Sequence, residues 1–280
     1  MSPKHVVSCS FGKDSIATIL LALEHGEPLD EAVYCEVMFD DATSGEVPEH
    51  RAFIYQAAIP ALEKLGVPVR VLRSEKTYTS VFMGKVTRGP KKGMIRSFPV
   101  CGKCYVQRDC KMHPIRQYQK TLPSDTVQYI GIAKDELRRL TRLGGNQVSL
   151  LEKYGYTEDD AKQLCKQAGL LSPVYEFTDR GGCWFCPNAK LPELRHLYDH
   201  HPDLWQKMMR LQAVPGKVTE KFNRSQKFSD IDAMFREWDL QTAAYADRGQ
   251  RHLACLRQQE NRGLGQPPQN TVQGDCRPVR

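Results

Sequence analysis

A glycine, two hydroxyls, a lysine and an aspartate fall within the six residues Ser10-Phe11-Gly12-Lys13-Asp14-Ser15. They follow the apolar pair Val6-Val7 and precede an apolar-periodic stretch over residues 16–23, an order that predicts strand, tight polar turn and helix. Such a turn sets backbone N–H groups at the positive end of a helix, where a phosphate binds well. The loop is not a Walker A motif, because Gly-x-x-x-x-Gly-Lys-Ser/Thr is absent. A plain strand–turn–helix joint with no ligand is the other reading of the same residues.

A second set of reactive side chains is sulfur. Cys101-x2-Cys104-x5-Cys110 and Cys183-x2-Cys186 hold five of the ten cysteines. Two Cys-x2-Cys pairs predict a metal site, either zinc in a closed four-thiolate shell or a 4Fe–4S cluster, which spacing does not separate. Five thiols for four places leave one spare, taken to be Cys101 or Cys104. No apolar signal region opens the chain, so disulfides of an exported protein are not expected, and a reducing cytoplasmic setting is. No apolar run is long enough to span a bilayer, so no membrane partner is expected.

Charge singles out a third region. The formal net charge is +7, yet residues 85–120 alone contain ten Lys/Arg against the single acid Asp109. A phosphate-rich partner, DNA or RNA, is one reading; a basic surface serving a free nucleotide or only solvent is the other. Asp40 and Asp41, after an expected second strand, suit the adenosine side of a nucleotide or a Mg²⁺ ion shared with phosphate oxygens. In Gly131-Ile132-Ala133-Lys134-Asp135-Glu136-Leu137-Arg138-Arg139, Gly131 allows close approach of a nucleotide, and Arg138 or Arg139 can clamp an anion bidentately. His113, His200 and His201 are weaker candidates, since His200-His201-Pro202 fits a junction between two helices. Cys9, beside the polar turn, could carry a persulfide, but a strand-end cysteine more often is simply buried; Cys165 reads as core.

The elements that position these groups alternate. Strands are expected over 6–9, 32–39, 67–72 and 127–132, with 172–175 a last strand or extended segment. Helices are expected over 14–25, 48–65, 78–83, 109–120, 134–142 and 157–169, the last with a strong N-cap at Thr157. Residues 85–99, rich in Gly, Pro and Lys, read as a mobile loop. Helices at 196–211 and 231–240 are expected to pack Trp205 and Trp238, and from 241 the composition predicts a disordered basic tail. Alternating strands and helices predict an α/β fold: a parallel twisted sheet with helices on both faces and ligands at the carboxyl ends of its strands. The expected domains are a nucleotide-binding unit over 1–175, a helical cysteine-bearing portion over 176–240, and the tail over 241–280.

The turn at Ser10–Ser15 resembles the PP-loop, Ser-Gly-Gly-x-Asp-Ser, of the N-type ATP pyrophosphatases, with Phe11 where the first glycine usually stands. The stretch from Phe39 to Glu49, the stretch from Gly131 to Arg139, and Cys110-Lys-Met-His-Pro-Ile are similar to successive motifs of the superfamily that contains phosphoadenosine phosphosulfate (PAPS) reductase. Gly-Cys-Trp-Phe-Cys-Pro and the first cysteine group resemble a subgroup that includes the Fe–S ATP-pyrophosphatase subunit of DNA phosphorothioation systems. The resemblance covers about residues 5–215 and implies an adenine nucleotide alpha hydrolase-like fold. It implies an ATP-dependent adenylylating sulfurtransferase that binds ATP, Mg²⁺ and a 4Fe–4S cluster, with a cysteine desulfurase or other sulfur donor as partner. Lys13, Asp14 and Arg138 would be catalytic; Ser10, Phe11, Gly12, Ser15, Asp40, Gly131 and Arg139 would bind the nucleotide; Cys101, Cys104, Cys110, Cys183 and Cys186 would supply the metal ligands. Two alternatives share these residues. One is a sulfonucleotide reductase releasing sulfite, which Gly274-Asp275-Cys276-Arg277 fits poorly because the family's Glu-Cys-Gly-x-His is missing. The other is a zinc-stapled nucleic-acid-binding module with a degenerate nucleotide pocket.

Overall fold

The computed structural model describes residues 3–100 and 104–244. Five parallel strands form one sheet in the order β3-β2-β1-β4-β5: β1 (His5–Cys9), β2 (Glu31–Glu36), β3 (Val69–Arg73), β4 (Val127–Ile130) and β5 (Gln147–Val148). The α/β fold with an all-parallel sheet is therefore as the sequence predicts. Val7 and Cys9 of β1 and Ala32 and Tyr34 of β2 point to one face. There they meet Ile16 and Ile19 of α1 (Lys13–Glu24), Ala58 and Leu62 of the helical run over 48–64, and Ala161 and Cys165 of α8 (Glu158–Gln167). On the other face Cys35 of β2 lies under the segment that leads into α5 (His113–Gln119), so helices cover both sides.

Prolines shape two of the remaining helices. The run over 48–64 is α2 (Pro48–Phe53), a widened turn at Ile54–Ala58 and α3 (Ile59–Lys64). Pro60 has no N–H to offer the Gln56 carbonyl, and the turn opens at that point. The same device recurs at Gln107–Met112, ahead of Pro114. The Cys110 carbonyl that Pro114 cannot serve accepts the Cys35 thiol instead, at 3.7 Å. The short helix α4 (Tyr78–Met83) is closed at its start by a capping box between Thr77 and Ser80.

Several expectations are corrected. The second strand stops at Glu36 rather than running to 39, because Met38 turns back to bridge Ser44. The expected helix over 134–142 shrinks to one turn, α6 (Leu137–Leu140), and is followed by β5, which was not expected. A further turn, α7 (Leu150–Lys153), leads into α8. Residues 172–175 are no strand: Pro173–Glu176 is a tight helical turn. The segment over 85–99 folds back on itself, with Val86 N–H donating to the Met94 carbonyl at 2.9 Å and Ile95 bridging Lys217. The expected helix over 196–211 is two helices, α9 (Leu191–His200) and α10 (Pro202–Ala213), broken at His201-Pro202.

Contacts gather the described residues up to 229 into one compact unit and those over 230–244 into another, and the cysteine-bearing segment after 175 packs against the loop that follows β2. Trp184 shows why: its Nε1–H donates to the Ser44 carbonyl at 2.9 Å and its backbone N–H to the Gly45 carbonyl at 3.1 Å. Gly45 is obligatory there, since a Cβ would stand 2.6 Å from the Val37 carbonyl oxygen and 3.0 Å from the Phe185 ring. Trp205 is buried at 2% exposure, whereas Trp238 of the second unit is 41% exposed and touches the Phe235 ring. The described part of that unit, residues 230–244, is helical; the rest of the expected tail lies outside the described residues. No helix among the described residues is long and apolar enough to cross a membrane.

The end of β2 is held by a fully buried carboxylate. Glu36 accepts hydrogen bonds from Ser44 Oγ (2.8 Å), Arg51 Nε (2.9 Å), Tyr55 Oη (2.7 Å) and Arg73 Nη2 (2.6 Å). Burial pushes its carboxyl up, but these four partners outweigh burial and hold it at about 2, against an ordinary 4.5. The stabilisation is therefore complete above about pH 4.5 and is lost as the pH falls towards about 2. Because the two arginines are half exposed, we expect Glu36→Gln to cost about 2 kcal/mol in urea unfolding at pH 7. The gap between wild type and variant should narrow steadily below pH 4.5, and a pH-independent gap would contradict the assignment.

Candidate active-site crevice and thiol pocket

The strand order reverses between β1 and β4, and the loops leaving those two strands part to open a crevice. It encloses about 400 Å³, within the range of small-molecule sites. Ser10, Gly12, Lys13, Asp14 and Ser15 line it from β1, Gly131, Glu136 and Arg139 from β4, and Glu158, Tyr175, Asp179 and Arg180 from later segments.

The turn owes its shape to Phe11. This residue adopts a left-handed backbone, φ 57°, with its ring fully buried edge-on to Tyr34 at 5.1 Å. Phe11 thus shapes the turn from the core, and its side chain does not line the crevice. The amides of the turn are also not free as expected. Ser10 N–H donates to Ser15 Oγ (3.2 Å), Phe11 N–H to Cys9 Sγ (3.4 Å) and Lys13 N–H to Tyr175 Oη (2.8 Å). Cys9 is buried against Ser15, and burial pushes its thiol up to about 11. Gly131 presses the end of β4 onto the turn: a Cβ there would stand 2.8 Å from the Asp14 backbone and 2.9 Å from Ser15 N.

Lys13 is 8% exposed and paired, Nζ lying 2.8 Å from Asp14 Oδ1 and 3.3 Å from Glu158 Oε2. Glu158 is delivered by the capping box of α8, in which Thr157 and Asp160 exchange hydrogen bonds. Burial raises the Asp14 carboxyl, and Lys13 only partly offsets it. Arg139 pairs with Glu136 at 2.6 Å on the crevice wall, while Arg138 is exposed and does not line it. Asp40 is also elsewhere. It is held by Lys207 Nζ at 2.6 Å and by the amides of Ala42 and Thr43; these outweigh burial and keep its carboxyl at about 2. In this structure Asp40 closes its own loop rather than facing the crevice.

Beyond Gly181-Gly182 a second pocket, of about 300 Å³, is lined by Cys104, Cys183 and Cys186 with Lys111, Tyr78 and Arg180. Cys110 does not line it. It is fully buried under β2, where burial pushes its thiol up to about 12. Cys101 lies outside the described residues, as do Cys255 and Cys276. Cys104, expected to be a candidate spare thiol, lines the pocket, while Cys110 lies behind it within electrostatic reach of Cys104. Burial pushes the Cys183 thiol well up, so it is neutral at pH 7 unless a cation draws off its proton. Tyr78 Oη is buried in this pocket with no hydrogen-bond partner among the described residues. The three sulfurs line one pocket without falling within 4.8 Å of one another, too widely spaced for a single small ion; with the orphaned Tyr78 donor they fit a larger thiolate-bound cluster, whose sulfides can accept.

The sequence reading missed Arg180, Tyr175, Glu158, Glu136 and Asp179. Arg180 matters most, because it lines both the crevice and the thiol pocket. It lies within hydrogen-bonding reach of Cys186 and 3.3 Å from Glu193 Oε2. Its place in Asp-Arg-Gly-Gly-Cys, two glycines before the cysteine pair, was the only local signal.

No family model and no curated protein matches the sequence. Among solved structures, the U34-tRNA thiolase NcsA from Methanococcus maripaludis with its 4Fe-4S cluster is similar over 73% of this chain and 67% of that one, at 16% identity and a TM-score of 0.37. That likeness is too weak to carry an argument about activity.

The close approach at Gly131 gives a direct test of the crevice. Gly131→Ala must push β4 off the turn, at a cost of about 1–3 kcal/mol for an overpacked contact. Calorimetry with ATP should show at least a tenfold loss of affinity in that variant, while Ala133→Gly, buried beyond the crevice, should retain wild-type affinity.

Proposed function

We propose that the chain is an ATP-dependent adenylylating enzyme of the PP-loop, PAPS reductase-like superfamily, and that it activates an acceptor for sulfur insertion. One observation carries the reading: a polar crevice of about 400 Å³ at the start of α1 and a pocket of cysteine thiols share Arg180 as a common wall.

In this reading the triphosphate lies at the start of α1, held by Ser10, Gly12 and Ser15, and its oxygens take over the Lys13 amide from Tyr175. The crevice supplies Asp14, Glu136, Glu158 and Asp179 against Lys13, Arg139 and Arg180. Four carboxylates and three cations cannot neutralise a triphosphate, so Mg²⁺ would sit between phosphate oxygens and a carboxylate, Asp14 being nearest the turn. An acceptor oxygen attacks the α-phosphorus, that P–O bond forms, and the bond to the bridging oxygen of pyrophosphate breaks. Lys13 and Arg139 offset charge on the leaving pyrophosphate. A sulfur nucleophile then takes the activated position, and AMP leaves with the acceptor oxygen. Cys104, Cys183 and Cys186, with a fourth ligand, would hold a 4Fe–4S cluster, which supplies iron able to bind a sulfur atom. Arg180 would orient the anion passing between the two chambers. A cysteine desulfurase or similar donor would provide the sulfur, in the cytoplasm.

The acceptor we assign to nucleic acid. Lys91, Arg96, Lys221 and Arg224 line a groove with Phe98 and Tyr105 and no acidic residue. Pro99 borders both this groove and the thiol pocket, and Tyr105 Oη is buried without a partner among the described residues. Cations interleaved with aromatic rings suit a phosphate backbone and an unstacked base.

Anaerobically purified protein should be brown, with iron and acid-labile sulfide in equal amounts. It should release pyrophosphate from ATP in the presence of its acceptor, with Asp14→Ala slower by about 100-fold or more. Colourless protein carrying zinc and no pyrophosphate release would refute the enzyme reading. Replacing Lys91 and Lys221 with Glu should weaken RNA and DNA binding and flatten its salt dependence by roughly one phosphate contact per lysine. An unchanged salt slope would remove nucleic acid from the proposal.

A further inference from the structure

Away from the crevice and the thiol pocket, three side chains from different helices converge on one point. Glu49 lies in the first turn of α2, His196 in α9, and His201 at the break between α9 and α10. His196 Nε2 is 2.9 Å from Glu49 Oε1, and His201 Nε2 is 2.9 Å from the same oxygen and 3.1 Å from Oε2. The three ligand atoms all lie within 4.8 Å of one another. The group is sheltered without being sealed, with side-chain exposures of 18%, 17% and 31% for His196, His201 and Glu49.

The His196 ring and the His201 backbone are fixed from outside the group. Phe177 stacks flat on His196, centroids 3.6 Å apart and planes 6° from parallel. The His201 backbone is tied on both sides, its N–H to the Leu197 carbonyl at 2.9 Å and its carbonyl to Trp205 N–H at 3.0 Å. One imidazole would satisfy a half-buried carboxylate. Two imidazole edges gathered on one carboxylate oxygen are the donor set of a borderline-soft divalent ion. A second feature points the same way. Glu193, one turn before His196 on α9 and lining the same small pocket, has a buried Oε1 with no hydrogen-bond partner among the described residues. A water on a metal ion at His196 would supply the missing donor.

We infer that Glu49, His196 and His201 form a site for a divalent transition-metal ion of the zinc class, with a coordination position left open to water. Each neutral imidazole coordinates through Nε2, its proton carried on Nδ1. The ion joins the start of α2 to the α9–α10 corner. Through the next residue it reaches the phosphate turn: His50 Nδ1 lies 2.8 Å from Ser172 Oγ and its Nε2 lies 3.3 Å from the Ser10 carbonyl. The inference does not depend on the proposed activity.

The full chain, with its thiol-bound metal first quantified, is titrated with Zn²⁺ against a competing chelator, and separately with Co²⁺. Wild type should take up one equivalent beyond the thiol-bound metal, and Co²⁺ there should give d–d bands without a sulfur-to-cobalt charge-transfer band. Glu49→Gln and His201→Gln should each weaken that equivalent by more than the roughly 10–100-fold typical of losing an outer-shell partner. Their iron, sulfide and circular dichroism should be unchanged. Wild type without the extra equivalent, or with a sulfur-ligated cobalt spectrum only, overturns the site; so does its retention in both variants. If either variant misfolds, the wild-type cobalt spectrum decides alone.

Discussion

A left-handed backbone at Phe11 is the constraint on which the rest of the site depends. At φ 57° a non-glycine residue gives up about 1–2 kcal/mol. The ring that comes with it is fully buried against Tyr34, and burying a phenylalanine side chain contributes about 1.5–3 kcal/mol. The balance favours the bend, so the core itself holds the turn closed. With Phe11 turned inward, Ser10 and Gly12 face the crevice and α1 starts directly at its floor. A glycine at this position would reach the same backbone without strain, but it would leave the turn unanchored.

In the described form of the crevice, Lys13 and Arg139 are already paired within it. Lys13 is shared by Asp14 and Glu158, Arg139 by Glu136, and the Lys13 amide by Tyr175. In the proposed function a phosphate would compete for these same groups, so its binding would be an exchange of partners rather than the filling of a gap. The exchange frees carboxylates next to phosphate oxygens, and that arrangement is unfavourable until a divalent cation bridges them. Asp40 and Glu36 lie outside this exchange. Their hydrogen-bond partners, cationic and neutral, lower both carboxyls to about 2, which suits fixed pieces of scaffold better than groups that must change partners.

What the sequence disclosed follows a simple division. The strand, turn and helix around Gly12, the cap at Thr157 and the parallel order of strands rest on contacts between near neighbours, and periodicity and capping residues report those. The Cys-x2-Cys pair at Cys183 and Cys186 was legible for the same reason. Tyr175 reaches Lys13 across 162 residues, Lys207 reaches Asp40 across 167, and His196 reaches Glu49 across 147. No local pattern encodes such pairings. Asp40 looked available because its own neighbourhood is acidic and polar; the lysine that occupies it lies on a helix far along the chain. Arg138 and Arg139 were indistinguishable in sequence, and the single turn of α6 separates them, one facing solvent and the other the crevice. β5 was missed because two residues, Gln147 and Val148, are too few to show alternation.

Arg180 ties these levels together. The proposed activity would need its phosphoryl and sulfur centres close, yet would have to keep reactive sulfur away from the triphosphate until the acceptor is in place. Here the separation is one peptide segment, residues 180–183, and Arg180 is the only cation that borders both chambers among the described residues. Glu193 holds its guanidinium at 3.3 Å, a looser grip than the 2.6 Å between Lys207 and Asp40. An arginine shared between one carboxylate and the half-buried Cys186 thiol, on the wall of the crevice, can exchange partners, because its fork donates to either an oxyanion or a thiolate. The rigid parts of the molecule, the Phe11 bend and the Glu36 anchor, fix the chambers in place.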